Sequence, residues 1–220
     1  MANIKRANTS GITKTGTAIN DVPDAPTGVT ATDVGTSRAY NNGAASVAFT
    51  PAATGGGSIT SYTATSSPGS LTASGASSPL TVTGLSSATA YTYTVTATNS
   101  TATGPASSAS SSVTATTVPQ APTIGTATVT NATTVSLAFT AGATGGSSIT
   151  SYTVTSSPSI SLSTSGTTSP LTVTGTFASN TAYTFTIAAV NTNGTSAASS
   201  SSNSDRKSTR LNSSHLGISY

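Results

Sequence analysis

Apolar and polar side chains alternate residue by residue along several short segments of the chain. In the segment 90–99, Tyr, Val and Ala occupy every second position and threonines lie between them. The segments 62–64, 80–82, 135–139 and 182–191 alternate in the same way. Because successive side chains of a β-strand point to opposite faces, this period predicts strands with one buried and one solvated face. Clusters of Gly, Pro, Asn and Ser separate the segments, and no helical period is sustained, so we predict an all-β chain.

The predicted strands occur twice. The clearest pair is GGGSITSYTATSSP at 55–68 and GGSSITSYTVTSSP at 145–158. Other matched blocks lie 90 to 96 residues apart, so small insertions separate them. A period of about ninety residues is the size of one β-sandwich domain, and we predict two tandem sandwiches at 22–117 and 118–204. Composition alone would also permit a disordered Ser/Thr-rich stalk, but a disordered chain has no face to keep apolar.

Charged residues are confined to the two ends of the chain. From Ala39 to Ser204 there is no Asp, Glu, Lys, Arg or His. Catalysis needs a metal or a group that exchanges a proton near neutral pH, and this stretch offers only tyrosine hydroxyls. We therefore predict that the protein is not an enzyme and has no catalytic residues and no cofactor. Asp21, Asp24 and Asp33 are too few ligands for calcium, and cysteine is absent, so no metal site is predicted.

The segment 205–220, DRKSTRLNSSHLGISY, differs abruptly from the sequence before it. When the segment is translated back through the genetic code, it fits the DNA of an indexing adapter used in short-read sequencing libraries. We therefore predict that it is a translated artefact. Without this segment the chain carries four cations against three anions and no histidine. The net charge of +3 therefore gives no electrostatic reason to expect a nucleic-acid partner.

The N-terminal segment 1–21, with Lys5, Arg6 and Lys14, is predicted to be an arm outside the sandwiches. It lacks the apolar core of a signal peptide, and no stretch of the chain reaches the length of a transmembrane helix. We therefore expect no membrane insertion. A virion or another extracellular surface is the location that fits such a chain.

The blocks SVAFTPA, GGGSITSYTATSSP, SPLTVTGL and AYTYTVTATN, in this order, resemble strands B, C, E and F of fibronectin type III modules, which are immunoglobulin-like sandwiches. GLSSATAY at 84–91 resembles the tyrosine corner of that family, in which a buried Tyr at the start of strand F binds an upstream backbone group through its hydroxyl. The resemblance gives this role to Tyr91 and Tyr183. Phe49 and Phe139 stand where the family often has Trp, a change that is common in bacterial and phage-borne versions.

The stretch SRAYNNGAASVAFTPAATGG at 37–56 also resembles repeats in structural proteins of marine tailed phages. This resemblance implies a non-enzymatic structural or display module, which spaces or decorates a phage virion or another surface assembly. Its partners would be other virion or surface proteins. An alternative of a different class is an accessory domain of a truncated secreted hydrolase, which a catalytic domain further along the natural chain would identify.

The loop TSRAYNNGA at 36–44 is the candidate ligand contact. It lies in a connection between strands A and B that is six residues longer in the first repeat than in the second. Arg38 and Tyr40 supply a cation and a ring off the core positions, and Asn41 and Asn42 supply hydrogen-bonding groups. Weakly bound cell-surface glycans are the ligands in this hypothesis. The alternative is that Asn-Asn-Gly only forms a turn and that Tyr40 covers the edge of the sheet.

Overall fold

The structure is a computed structural model that describes residues 21–206, with side chains described to Ser204. Our predictions for residues 1–20 of the arm and for residues 207–220 of the tail lie outside these residues. The chain divides after Thr117 into two compact units. The strands of the first unit are β1 (Thr27–Asp33), β2 (Gly43–Thr50), β3 (Ile59–Ser67), β4 (Thr72–Gly75), β5 (Leu80–Leu85), β6 (Ala90–Asn99) and β7 (Val113–Thr114).

The second unit repeats this order of strands. They are β8 (Thr123–Asn131), β9 (Thr134–Thr140), β10 (Ser151–Ser157), β11 (Leu162–Ser165), β12 (Leu171–Gly175), β13 (Ala182–Asn191), β14 (Gly194–Thr195) and β15 (Asp205–Arg206). The described residues contain no helix.

Each unit consists of two antiparallel sheets. In the first unit their strand orders are β1-β2-β5 and β4-β3-β6-β7. In the second unit they are β11-β12-β9-β8 and β10-β13-β14, and β15 also pairs with β13. The predicted fold class, all-β with two tandem immunoglobulin-like sandwiches, is confirmed.

The two units differ in the placement of one short strand. β4 pairs with β3, whereas its counterpart β11 pairs with β12 and so belongs to the other sheet. The segment from Pro158 to Gly166 is one residue longer than the segment from Pro68 to Gly75. This insertion is the difference in sequence length that accompanies the change of sheet.

The alternating apolar residues form the two cores. The Phe49 and Tyr62 rings lie 4.8 Å apart in the first core, and the Phe139 and Tyr152 rings lie 4.5 Å apart at the same place in the second. Each fully buried aliphatic or aromatic side chain contributes about 1.5–3 kcal/mol, so these residues dominate the stability of each unit. The largest fully buried apolar side chains are Val47, Val82, Leu85, Tyr93 and Val95 in the first unit and Val135, Leu137, Leu171, Val173, Phe185 and Ile187 in the second.

The outer edge of β6 is completed by an irregular segment that the hydrophobic pattern did not reveal. Ser107 and Ser110 donate their backbone N–H groups to the carbonyls of Val95 and Tyr93, both at 2.9 Å. Their hydroxyl oxygens accept the N–H groups of the same two β6 residues, at 2.9 and 3.1 Å. Each hydroxyl donates in turn to the carbonyl of the residue that follows it. We call this arrangement, in which every third residue is a bridging serine, the serine ladder.

The second unit contains the same ladder along β13. The N–H groups of Ala189, Ile187 and Phe185 donate to the hydroxyls of Ser196, Ser199 and Ser202, at 3.0, 3.1 and 3.0 Å. The backbone N–H groups of these serines bind the three β13 carbonyls at 2.8 Å. Short regular pairing follows each ladder, as β7 joins Ala90 and Tyr91 and β15 joins Ala182 and Tyr183.

Candidate functional site

Two buried tyrosines fix the connections that precede β6 and β13. The hydroxyl oxygen of Tyr91 accepts the N–H of Ser86 at 3.0 Å, and that of Tyr183 accepts the N–H of Ala178 at 3.2 Å. The Phe177 ring packs edge-on against Tyr183 at 5.2 Å. The structure therefore places both predicted corner tyrosines in the geometry of a tyrosine corner, where they are framework residues.

The candidate loop between β1 and β2 is held by its own hydrogen bonds. The N–H of Arg38 donates to the carbonyl of Gly35 at 3.1 Å, and the N–H of Asn42 donates to the carbonyl of Ala39 at 2.9 Å. The Nε of Arg38 donates to the carbonyl of Asn42 at 2.9 Å, which closes the loop on itself. Asn41 has a φ of 58°, a left-handed conformation that Asn tolerates better than most residues.

Asn41 connects this loop to the connection between β5 and β6. Its N–H donates to the hydroxyl of Ser87 at 2.9 Å, and its Oδ1 accepts the N–H of Ser87 at 3.0 Å. The Ser87 hydroxyl lies 2.6 Å from the hydroxyl of Thr117 at the end of the unit. Asn41 is therefore a framework residue, and its Nδ2 is the group that it can offer to a ligand.

Asp33, at the end of β1, fastens the same corner of the first unit. Its Oδ1 accepts the N–H of Thr116 at 3.1 Å, and its Oδ2 accepts the Thr116 hydroxyl. A Cβ on Gly35 would collide with the hydroxyl oxygen and the carbonyl of Thr116, so only glycine permits this close approach. The carboxylate of Asp33 thus binds the end of the unit to its first strand.

The remaining groups of the loop form a small polar and aromatic surface. Arg38 and Tyr40 are half-buried, and Asn41 and Asn42 are exposed. Arg38 is the one cation among the side chains that the structure describes. This set can donate hydrogen bonds and pack against a ring, but it contains no acid–base pair. Ligand binding by Arg38, Tyr40, Asn41 and Asn42 stays a prediction.

Tyr93 carries a buried hydroxyl without a hydrogen-bond partner among the described residues. The residue is 0% exposed. Burial raises the pKa of Tyr93 to about 12, and the neighbouring Tyr91 and Asp33 add to this effect. Burial also raises the pKa of Tyr152 in the second unit. A hydroxyl that holds its proton so firmly is not a candidate base near neutral pH.

Two buried asparagines, which sequence reasoning missed, hold the loops at the opposite ends of β6 and β13. Asn99 donates through Nδ2 to the carbonyls of Asp21 and Thr54, at 2.7 and 2.9 Å. Asn191 donates through Nδ2 to the carbonyl of Thr144 at 2.9 Å. The available signal was the repetition itself, because an Asn ends the matched block in both repeats.

The described residues contain neither a metal-binding cluster nor a membrane-spanning helix. No three His, Cys, Asp or Glu residues in the described part of the chain lie close enough to hold a metal ion. Within residues 21–206, no helix is long and apolar enough to cross a membrane.

Known structures are similar to the chain at low sequence identity. The FN1–FN3 domains of chicken CNTN1 are 18% identical, with a TM-score of 0.45, over 83% of this chain and 66% of that one. Domains A168–A170 of titin are 18% identical, with a TM-score of 0.43, over 84% of this chain and 67% of that one. The chain thus spans slightly less than two thirds of the CNTN1 structure. No curated protein sequence matches the chain.

A family model covers both units. Residues 24–114 and residues 120–205 each match the model described as Fibronectin type III domain. These two segments contain the two cores except for Ala115, together with the two serine ladders and both corner tyrosines. The chain therefore belongs to the fibronectin type III family and contains two of its domains in tandem.

Proposed function

We propose that this protein is a non-enzymatic structural or display module, which spaces or decorates the surface of a phage virion or a comparable assembly. Tandem fibronectin type III domains are compatible with a structural or adhesive role. The main support is the use of the polar side chains. Asp33, Asn41, Asn99, Asn191 and the ladder serines bind the chain's own backbone.

The virion as the location is supported by the stretch 37–56, with its resemblance to structural proteins of marine tailed phages. Fibronectin type III domains generally mediate contacts between proteins, so other virion or surface proteins are the proposed partners. Antibodies raised against the protein should label the outside of intact particles in electron micrographs. Purified particles that lack the protein altogether would contradict the virion role.

The second candidate is an adhesive module that binds cell-surface glycans weakly. It is favoured by one observation, the half-buried Arg38 and Tyr40 on an ordered surface loop. A sugar ring can pack on Tyr40 while the guanidinium of Arg38 donates hydrogen bonds.

A glycan array separates the two candidates. The wild-type protein, Tyr40→Ala and the control Ser108→Ala, an exposed residue of the irregular segment, would be compared on the same array. A structural spacer shows no saturable binding with any of the three proteins. Saturable binding that Tyr40→Ala loses and Ser108→Ala keeps would establish adhesion and overturn the proposal of a pure spacer.

A further inference from the structure

The outer edge of β1 offers unpaired peptide groups. β1 is an edge strand of its sheet, and only β2 pairs with it. Val34 donates its N–H to the carbonyl of Ala44 at 2.8 Å, so the peptide groups of Thr32 and Thr30, at the same parity, also face β2. The peptide groups of Ala31 and Asp33 must then point away from the sheet. The pairing of β1 with β2 is irregular between Thr27 and Thr30, but Val29 packs against the core beside Ala31, which places its peptide group at the same outer edge. No hydrogen bond links these three groups to a described segment other than β2.

The second unit closes the same edge with one side chain. Ala127 of β8 lies opposite Leu137, as Ala31 lies opposite Val47. The Oδ1 of Asn203 accepts the N–H of Ala127 at 2.8 Å, and its Nδ2 donates to the carbonyl of Ala127 at 3.2 Å. The amide of Asn203 thereby takes the place of a neighbouring strand.

The first unit has no such side chain. Ser110 and Ser202 make the same ladder bonds, so Ser111 occupies the position of Asn203. A serine side chain offers one hydroxyl, and it cannot bind a peptide N–H and its carbonyl at once as the amide of Asn does. β1 contains no proline, and its one charged residue, Asp33, is bound to Thr116. The pairing irregularity lies between Thr27 and Thr30, so the rest of the edge, Thr30–Asp33, is regular and open to a further strand.

We propose that β1 pairs with β1 of a second copy of this chain, antiparallel and around a two-fold axis. Ala31 then lies opposite the partner's Ala31, and Val29 lies opposite the partner's Asp33. This register alone brings all three outward-facing peptide groups of each copy into hydrogen-bonded pairs. The interface is isologous, so each contact occurs twice.

The side chains of the edge suit this register. Thr30 faces the partner's Thr32, a cross-strand pair that stabilises sheets. Val34, the one large hydrophobic residue in the described chain that is well exposed, at 41%, faces the partner's Gly28. Gly28 has no side chain, which leaves room for the valine.

The charges at the two ends of β1 are complementary in this arrangement. Asp24 precedes the strand, and Arg38 lies in the loop that follows it. Antiparallel pairing brings the end that carries Asp24 towards the partner's loop that carries Arg38, and no like charges face each other along the strand. A single short strand buries little surface, so the association is weak in dilute solution and strong where many copies are held close together.

Disulfide trapping tests the register directly, because the chain contains no cysteine. Thr30→Cys and Thr32→Cys are made as two separate proteins, mixed, and oxidised under mild conditions. In the proposed register these two residues form a non-hydrogen-bonded pair of an antiparallel sheet. The Cα atoms of such a pair lie about 4.5 Å apart, within the range that a disulfide spans. The matched control is the mixture of Thr126→Cys and Thr128→Cys, the same positions on β8, where Asn203 closes the edge.

We expect the mixed Thr30–Thr32 disulfide to form at least about tenfold faster than the control disulfide. Equal rates in the two mixtures would show random collision and would overturn the proposal. Electrophoresis of the oxidised mixtures, with a size tag on one partner, distinguishes the mixed dimer from the two symmetric ones.

Sedimentation equilibrium tests the edge without cysteines. Ser111→Asn supplies the first unit with the side chain that closes the second, and Ala31→Pro removes an N–H that the unit itself does not use. Each should raise the dissociation constant of the dimer by about tenfold or more, with an unchanged circular dichroism spectrum. A wild-type protein that stays monomeric at millimolar concentration, or a dimer that both variants leave unchanged, would overturn the proposal.

Discussion

Single residues at equivalent positions show how the two units deal with the same local problem. Tyr93 and Phe185 both donate their backbone N–H groups to the last serine of their ladders, Ser110 and Ser202. The buried side chain of Phe185 has no polar atom, whereas the hydroxyl of Tyr93 is buried without a hydrogen-bond partner among the described residues. An unpaired buried hydroxyl costs about 1–3 kcal/mol of desolvation.

Tyr93→Phe should therefore stabilise the first unit by about 1 kcal/mol, because it removes the hydroxyl and keeps the ring. Urea denaturation followed by fluorescence or circular dichroism measures the change. The control is Tyr91→Phe, which removes the acceptor of the Ser86 N–H and should destabilise the unit by about 1 kcal/mol. A loss of stability in Tyr93→Phe would mean that the hydroxyl has a binding partner in solution.

The candidate site was only partly predictable at this scale. The sequence indicated the polar and aromatic character of the loop from Arg38 to Asn42, because that follows from residue types alone. It could not indicate that Asn41 binds Ser87, which lies 46 residues further along the chain. Asp33 and Thr116 are 83 residues apart, and their contact depends on how the first and last strands meet in space. Such long-range side-chain contacts are not encoded in a local pattern.

At the scale of the strand, the serine ladder makes the stability of each unit depend on hydroxyl acceptors. Ser107→Ala removes the group that accepts the N–H of Val95, and the position is buried. We expect a destabilisation of about 1–2 kcal/mol and faster hydrogen exchange of the Val95 amide. The control Ser108→Ala changes an exposed neighbour and should stay within about 0.5 kcal/mol of wild type. Equal effects of the two substitutions would show that the hydroxyl of Ser107 makes no net contribution.

The same element shows why the strands were only partly predictable. The alternation along β6 and β13 identified them because one face is apolar and the other carries hydroxyls. The ladder segments have a period of three and almost no apolar side chains, so no hydrophobic pattern marks them. They are held by hydroxyl and backbone hydrogen bonds, and their serines resemble those of a linker in composition. The different pairing of β4 and β11 was equally invisible, since the two segments differ by one residue in length and no hydrophobic pattern distinguishes them.

At the scale of the whole molecule, acidic and basic side chains are confined to the two ends of the chain, and this determines how its stability depends on pH. Residues 39–204 contain no Asp, Glu, His, Lys or Arg, so their folding should change little between about pH 6 and pH 9. The first change is expected from Tyr93, whose pKa burial raises from 10.0 to about 12.

The sign of this change follows from the protons that each state holds. Below about pH 10 the folded and the unfolded chain both keep the Tyr93 proton, so this group does not make the free energy of unfolding depend on pH there. Between about pH 10 and pH 12 the unfolded chain has released the proton while the folded chain keeps it, so stability falls as pH rises. Thermal unfolding of wild type and Tyr93→Phe across this range measures the effect, and the variant should lose less stability in the first unit. Parallel losses in the two proteins would assign the alkaline transition to other tyrosines, of which Tyr152 is the next candidate because burial raises its pKa in the same direction.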